Sequence, residues 1–147
     1  MSDTGANVNH DRQRARFFEL SSDLFCVVGP DGRFQSRNAR WVDLLGYDEA
    51  VLAREPFFTL VHPDDLAATQ QVMGRLASGE QSITHFVNRF LAADGSAKFF
   101  SWSAVFDPES QTFMATGRDV TEQRKLEQRA NRFFDISLEM LCVASTD

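Results

Sequence analysis

The sequence predicts an α+β domain that opens with a β-hairpin, continues with several short helices and closes with a meander of three long strands. Residues 29–32 (GPDG) are a strong turn signal between the first two strands. Residues 93–96 (ADGS) and 107–110 (DPES) are hairpin turns in the second half. These two turns separate three strand-like runs: residues 81–92, 97–106 and 111–118. We therefore expect five strands, short helices after the second of them, and a flanking helix at each end.

The beginning of the chain is nearly repeated at its end. Residues 17–31 read FFELSSDLFCVVGPD, and residues 133–147 read FFDISLEMLCVASTD. The offset, 133 − 17 = 116 residues, is too long for a solenoid repeat and is about the size of one small domain. We expect one complete domain and, at residues 139–147, the truncated start of a second copy. Cys26 and Cys142 fall at equivalent positions and are expected in strands as small buried side chains.

The composition is ordinary for a globular domain and excludes some classes of function. Hydrophobic residues make up 43% of the chain and charged residues 24%. The net charge is −6, whereas a nucleic-acid-binding surface is basic, so we expect no nucleic-acid partner. No stretch approaches the roughly 20 apolar residues of a spanning helix. The polar start MSDTGANVNHD is not a signal peptide, so we expect a cytoplasmic module without membrane contact.

The N-terminal part has a simple predicted order. Residues 1–10 are predicted to be a disordered tail, and residues 11–20 (DRQRARFFEL) a leading helix with charged flanks. The domain proper is expected over residues 21–120. Its first strand is Leu24 to Val28, and the chain returns after the turn along Arg33 to Ser36.

Helical spacing follows the hairpin. Apolar residues recur at helical intervals up to Gly46, which fits the left-handed residue that ends a helix. These apolar residues are Ala39, Trp41, Val42, Leu44 and Leu45. Asp48 can then cap a short helix that runs through Leu52.

A longer helix is predicted to begin at Pro63, since proline suits the first helical position. Asp64 and Asp65 place negative charge at the positive end of this helix. Gly79 is expected to end it. Its buried stripe consists of Leu66, Thr69, Met73 and Leu76.

The middle strand of the meander has apolar side chains on both faces. One face is formed by Phe100, Trp102, Ala104 and Phe106. Phe99 and Val105 lie on the other face, because side chains alternate along a strand. One face should pack on the helices, and the other needs a cover, either a terminal helix or a partner subunit.

The chain ends in a predicted linker helix over residues 121–138, capped by Thr121. Leu126, Ala130 and Phe133 follow the 4-then-3 spacing of a short coiled-coil seam. A lone helix of this length is marginal in water and needs a packing partner. We expect a parallel homodimer with leading helices near the sheet faces and exit helices side by side. The alternative is that these residues pack on their own domain or on the next one.

The sequence shows no catalytic constellation. Asp64 and Asp65 are adjacent on one helical turn and point apart, so helix capping is favoured over an acid pair. The three histidines are His10, His62 and His85, and no two of them have metal-ligand spacing. We expect no catalytic residue, no metal and no enzymatic activity in this chain.

The element order and several motifs resemble a PAS domain, the PAS/PAC sensory box. The matching motifs follow one another in the family's order over residues 17–124: Gly32 with Asn38 and LLGY at 44–47, VHPDD at 61–65, NRF at 88–90 with DGS at 94–96 and Trp102, and GRDVTE at 117–122. The resemblance implies an antiparallel sheet in the order 2-1-5-4-3 with helices over one face. The repeat at the C-terminus resembles the start of a second PAS domain.

The resemblance also implies a ligand space between the helices and the sheet, which in this family can hold haem, flavin or a small metabolite. Light-sensing flavin types need a cysteine in the central helices, and residues 38–78 contain none. Haem types usually ligate iron through a histidine of the long helix, and residues 64–78 contain none. We expect neither haem nor light-sensing flavin. A small organic ligand and an empty, Phe-packed core remain open.

If a ligand binds, two groups of side chains are expected around it. The polar contacts are Asn38, Asn88, Trp102 and Cys26, and the walls are Phe25, Phe86, Phe90 and Met73. The alternative role of Asn38 is a helix N-cap, and that of Asn88 is an ordinary strand position. Arg89 is expected to be an exposed cross-strand charge.

In the family, the aspartate of the last motif ties the final strand to the exit helix by pairing with a basic residue. Here the resemblance assigns this signal coupling to Asp119, with Thr121 and with Arg124 as the basic partner. It implies a sensory and dimerisation module of a bacterial multi-domain signalling protein, with a downstream PAS domain and an effector domain in the same chain. A sensor histidine kinase is the leading interpretation. A GGDEF-type diguanylate cyclase and a ligand-free protein-interaction module are the alternatives.

Overall fold

The computed structural model describes the backbone of residues 3–144 and the side chains of residues 9–141. Its elements, in chain order, are α1 (Asp3–Leu20), β1 (Leu24–Val28), β2 (Phe34–Arg37), α2 (Arg40–Leu45), α3 (Glu49–Arg54), a 3-10 helix (Phe57–Leu60), α4 (Pro63–Ala77), β3 (Ile83–Leu91), β4 (Ala97–Asp107), β5 (Thr112–Asp119) and α5 (Thr121–Ala144).

The five strands form one antiparallel sheet in the order β2-β1-β5-β4-β3. The first and last strands are therefore neighbours at the centre of the sheet, although 83 residues separate their ends (Val28 to Thr112 spans positions 29–111). This confirms the predicted α+β class and the predicted strand order. Because β5 lies between β1 and β4, the end of the domain is in direct contact with both halves of the sheet.

The core lies between one face of the sheet, the inner face, and the helices α2 to α4. Trp41 of α2 is at its centre, with its ring 5.8 Å from the rings of both Phe90 and Trp102. Phe100 and Leu24 are fully buried beside this cluster. The core is thus built on aromatic volume, which gives large buried areas to a small domain.

Three local signals in the sequence give the predicted structure. Gly46 follows α2 with φ of 77°, the left-handed conformation that glycine adopts without steric cost. Pro63 is the first residue of α4. The N-cap of α4 is His62, whose Nδ1 accepts a hydrogen bond of 3.1 Å from the amide of Asp64. The carboxylate of Asp64 is exposed near that helix end.

The first helix is longer than predicted. It begins at Asp3, so the predicted disordered tail over residues 1–10 is wrong for positions 3–10, and residues 1 and 2 lie outside the described part. Residues 3–20 contain no proline, so no residue of this segment blocks the extension of the predicted helix toward the N-terminus.

The last helix is also longer than predicted. α5 continues past residue 138 through Ala144, so Cys142 is helical rather than in a strand. Its counterpart in the repeat, β1, is stabilised by pairing with β2 and β5, whereas none of the described strands pairs with residues 139–144. A strand without hydrogen-bonded neighbours is unstable, and the helix continues instead. Residues 145–147 of the predicted second copy lie outside the described part.

The outer face of the sheet carries apolar side chains, as predicted from the alternation in β4. Val27, Met114 and Val105 are aligned across β1, β5 and β4, and the last two are partly exposed. The end of α1 covers one corner of this face, where the ring of Phe18 packs 5.6 Å from that of Phe25. Val105 and Met114 remain exposed to solvent. In the described part of the chain, no helix is long and apolar enough to cross a membrane.

Candidate functional site

A cavity of about 70 Å³ lies between α4 and the inner face of the sheet. Six of the eight candidate ligand residues line it: Cys26, Met73, Phe86, Asn88, Phe90 and Trp102. They come from β1, α4, β3 and β4, so the cavity wall is assembled from both halves of the domain. Alternation along the strands brings them together, because every strand residue in the group points to the inner face.

Phe25 is not part of the cavity. Its neighbours Leu24 and Cys26 are buried on the inner face, so Phe25 must point to the outer face, where it packs on Phe18. The prediction of Phe25 as a ligand wall is therefore wrong. Cys26 and Phe25 are adjacent in sequence, and only one of them can face the helices.

Asn38 is not part of the cavity either. Its Oδ1 accepts a hydrogen bond of 3.1 Å from the amide of Phe25, and its Nδ2 donates to the carbonyls of Phe18 at 3.0 Å and Asp23 at 2.9 Å. The side chain is 1% exposed and joins the end of α1 to β1. It is also not the N-cap of α2, which is Ala39. Asn38 is a structural clamp.

A chain of hydrogen bonds runs along one side of the cavity. The indole Nε1 of Trp102 donates to Oδ1 of Asn88 at 2.7 Å, and Nδ2 of Asn88 donates to Oγ1 of Thr69 at 3.1 Å. Thr69 in turn donates to the main-chain carbonyl of Asp65 at 2.8 Å. Sequence reasoning placed Thr69 in the buried stripe of α4 but missed its role. A threonine within an apolar stripe was the available signal, since a buried hydroxyl needs a partner.

Gly117 of β5 is the second residue that sequence reasoning missed. A Cβ at this position would lie 2.6 Å from Cζ3 of Trp102 and 2.8 Å from two further atoms of that ring. The indole therefore rests directly on the β5 backbone, and the absence of a side chain at Gly117 sets its position. A glycine within a strand often marks such a close approach.

Asp65 and Arg89 form a paired contact between α4 and β3. Oδ2 of Asp65 accepts from the backbone amide of Arg89 at 2.7 Å and from its Nε at 2.9 Å, while Oδ1 accepts from a terminal guanidinium nitrogen at 2.9 Å. The side chains are only 21% and 29% exposed. Asp65 is thus more than a helix-end charge, and the prediction of Arg89 as an exposed cross-strand charge is wrong. Hydrogen bonding from Arg89 holds the pKa of Asp65 below its ordinary value of 3.8.

We expect Asp65→Asn to lower the free energy of unfolding at neutral pH by about 1 to 2 kcal/mol, because the charged hydrogen bonds to Arg89 are lost. The pKa of Asp65 is lowered in the folded state. The stabilisation by its ionised carboxylate is therefore fully present above pH 3.8 and disappears as the pH falls through the folded-state pKa. Urea unfolding at pH 7 and at acid pH measures this. Asp64→Asn is the control, since the Asp64 side chain is 76% exposed. An equal loss in both variants would contradict the assignment.

Cys26 contributes an inert wall to the cavity. Burial raises the pKa of its thiol to about 12, so the thiol is protonated at neutral pH. A protonated buried thiol is neither a nucleophile nor a metal ligand, and it packs as a small apolar group. Among the described residues, no group of three or more histidine, cysteine or acidic side chains could hold a metal ion.

The start of α5 is hydrogen-bonded to the sheet. Oδ1 of Asp119 accepts from both the amide of Thr121 at 2.9 Å and its hydroxyl at 2.6 Å. The hydroxyl oxygen of Thr121 accepts from the amide of Phe99 at 3.0 Å, and the amide of Val120 donates to the carbonyl of Phe99 at 2.9 Å. The amide of Thr121 at the start of the helix is therefore bonded to the Asp119 side chain, and the Thr121 hydroxyl does not cap the helix. The predicted capping by Thr121 is wrong. Thr121 instead connects α5 to β4.

The predicted ion pair between Asp119 and Arg124 is not formed. No contact of 4.0 Å or less joins their charged groups, although both side chains lie within the described part. The carboxylate of Asp119 is already bonded to the amide and hydroxyl of Thr121. The backbone of Arg124 belongs to the first turn of α5, where its amide donates to the carbonyl of Val120. Asp119 and Thr121 remain at the junction between sheet and helix.

Comparison with known families identifies this fold. The sequence profile of the PAS fold matches residues 18–125, which is most of the chain. The chain belongs to the PAS family.

Solved structures agree with this assignment at the level of the fold. A domain of the sensory box sensor histidine kinase/response regulator from Geobacter sulfurreducens is similar with a TM-score of 0.64 and 16% identity, over 75% of this chain and 94% of that chain. A PAS domain from Colwellia psychrerythraea has a TM-score of 0.66 and 22% identity, over 76% and 97%. A PAS domain from a two-component sensor histidine kinase has a TM-score of 0.61 and 13% identity, over 77% and 98%. No curated protein matches the chain.

Proposed function

We propose that this chain is a cytoplasmic sensory and dimerisation module that binds a small organic molecule in the cavity and transmits its occupancy to α5. The position of β4 carries this proposal. Trp102 of β4 forms a wall of the cavity, and the backbone of Phe99 in the same strand donates to the hydroxyl of Thr121 and accepts from the amide of Val120 at the start of α5. A ligand that moves the indole acts on a strand that is bonded directly to the exit helix.

The dimensions of the cavity favour a small ligand. Its volume of about 70 Å³ is well below the roughly 300 to 1,000 Å³ of pockets that hold drug-sized molecules. Haem or a flavin would require the aromatic core to rearrange, and close-packed cores resist such changes. This supports the expectation that the domain uses neither cofactor.

The parent protein is proposed to be a sensor histidine kinase. Two of the structurally similar domains are described as parts of sensor histidine kinases, which supports this choice over a diguanylate cyclase. A ligand-free protein-interaction module is the second candidate, favoured by the open apolar row on the outer face at Val105 and Met114. The sensory module is expected to bind a small molecule in the cavity, and the ligand-free interaction module is not.

Coupling through the junction is testable with one substitution. We expect Thr121→Val to lower the free energy of unfolding by about 1 kcal/mol, because it removes the hydrogen bonds of the hydroxyl to the amide of Phe99 and to the carboxylate of Asp119 but keeps the shape of the side chain. The fold should persist, and the response of the full-length protein's output activity to its signal should be weakened, because the backbone bond from Val120 to Phe99 remains. Thr116→Val, on the outer face of β5, is the matched control. An unchanged response in the Thr121 variant would refute coupling through this junction.

Dimerisation rests on exposed apolar side chains of both flanking helices. Phe17 and Leu20 of α1 are 76% and 79% exposed, and Leu126 and Phe133 of α5 are 61% and 75% exposed. A parallel homodimer would bury these side chains together, with the α5 helices side by side.

Sedimentation of the chain is expected to give a dimer that is weakened by deletion of residues 1–20 and by Leu126→Glu, which places a charge in the seam. Gln128→Glu, a similar change at an exposed position on another side of α5, should leave the dimer intact. A monomer at high micromolar concentration, with and without residues 1–20, would exclude the dimer.

A further inference from the structure

We propose, on the basis of the sensory function above, that the ligand is a small, neutral and mostly apolar molecule with one hydrogen-bond acceptor, and that the amide nitrogen of Asn88 binds this acceptor. The proposal names a ligand class for the cavity and a residue that selects it. It rests on the hydrogen-bonding capacity of Asn88, on the chemistry of the walls and on the volume.

The orientation of the Asn88 amide is fixed by its neighbour. An indole N–H can only donate, so the Asn88 atom that lies 2.7 Å from Nε1 of Trp102 must be the carbonyl oxygen. The amide nitrogen therefore points the other way, toward Thr69.

One donor of this nitrogen is left over. An amide nitrogen carries two hydrogens, and Oγ1 of Thr69 is the single acceptor that the described residues offer to Nδ2 of Asn88. Asn88 is 3% exposed and lines the cavity. A buried donor without an acceptor is unfavourable, so a ligand that brings an acceptor gains more than a hydrocarbon of the same shape. The other indole at the cavity, Trp41, has no such capacity, because its Nε1 donates to the carbonyl of Phe25 at 3.0 Å.

The remaining walls select against charge. Met73, Phe86 and Phe90 are apolar, and Cys26 is protonated. No charged side chain of the described residues lines the cavity. An ionised ligand would lose its hydration without a counter-charge, which is strongly unfavourable. The ligand is therefore neutral.

The volume sets the size. An apolar cavity of roughly 150 Å³ accommodates benzene, and this cavity has about half that volume. A ligand of roughly five heavy atoms or fewer fits without displacing the walls. Short ketones, aldehydes and ethers combine this size with a single acceptor and no charge.

Acetone and isobutene test the proposal, because they have the same planar shape and differ in one group, a carbonyl oxygen against a methylene. Both are titrated into the ¹⁵N-labelled chain of residues 1–147, and the Trp102 indole and Asn88 side-chain amide signals are followed by NMR. Both probes should shift the Trp102 signal. Acetone should also shift one Asn88 amide proton that isobutene leaves unchanged.

Asn88→Leu removes the donor and keeps the size of the side chain. We expect this variant to change the ratio of the acetone and isobutene dissociation constants by about tenfold in favour of isobutene. Because loss of the acceptor for Trp102 can also unfold the variant, the Asn88 proton shifts in the unmodified protein decide the question independently.

The outcomes distinguish a failure of the proposed ligand class from a failure of the proposed sensory function. If both probes bind but acetone leaves the Asn88 protons unchanged, or the ratio is the same in the variant, the proposed ligand class is overturned and the sensory cavity remains. If neither probe shifts any cavity signal, the cavity is closed, and both the ligand class and the proposed sensory function fail.

Discussion

Gly117→Ala is expected to be strongly destabilising, by about 2 to 3 kcal/mol, because a methyl group would overlap the ring of Trp102. The indole would have to move away from β5, and its hydrogen bond to Asn88 would then be lost. Urea unfolding measures the loss, and the NMR signal of the Trp102 indole N–H reports the displacement.

Gly74→Ala is the matched control for this substitution. Gly74 lies inside α4, and a Cβ there would meet no atom within 4 Å. Alanine should therefore raise the free energy of unfolding by about 0.5 to 1 kcal/mol, because glycine is unfavourable within a helix. If both alanine variants were as stable as the unmodified chain, the close contact between Gly117 and Trp102 would not exist.

Asn38→Leu is expected to cost about 3 kcal/mol, the largest effect predicted for a polar residue of this chain. The substitution keeps the volume but leaves the amide of Phe25 and the carbonyls of Phe18 and Asp23 without their partner. The end of α1 should then detach from the sheet. Chemical denaturation gives the stability change, and hydrogen exchange of the Phe25 amide reports the local opening.

Asn131→Leu is the control for Asn38→Leu, because Asn131 lies exposed on α5. We expect its effect on the free energy of unfolding to stay within about 0.5 kcal/mol. Equal effects of the two substitutions would mean that Asn38 does not clamp α1 to β1.

The parts of the fold that were predicted correctly depend on local chemistry. Gly46 ends α2 because its backbone is left-handed, and Pro63 begins α4 because its φ suits the first turn. Alternation along β4 placed Phe100 and Trp102 on one face. Each of these signals acts within a few residues, so a single sequence contains it.

The roles that were missed depend on contacts between distant residues. Asn38 binds groups 13, 15 and 20 positions away, and Asp65 binds Arg89 across 24 positions. Neither pairing can be predicted from the residues that are adjacent in the sequence. The face of β1 posed a similar problem, because LFCVV is apolar throughout and alternation cannot tell Phe25 from Cys26. The extent of α5 was misjudged because residues 139–144 resemble β1 in sequence, but none of the described strands pairs with them.

The central claim is that occupancy of the cavity reaches α5 through β4, and its most direct test uses isobutene as a probe ligand. Backbone NMR signals of the ¹⁵N-labelled chain are compared with and without the probe, for the unmodified protein and for Thr121→Val. We predict that isobutene shifts the indole signal of Trp102 and the amide signals of Phe99 and Thr121. Thr121→Val should keep the shift of the Trp102 signal and reduce the shift of the amide signal at position 121, because the hydroxyl that bonds the Phe99 amide is lost. Shifts that remain confined to the cavity in the unmodified protein would contradict this account.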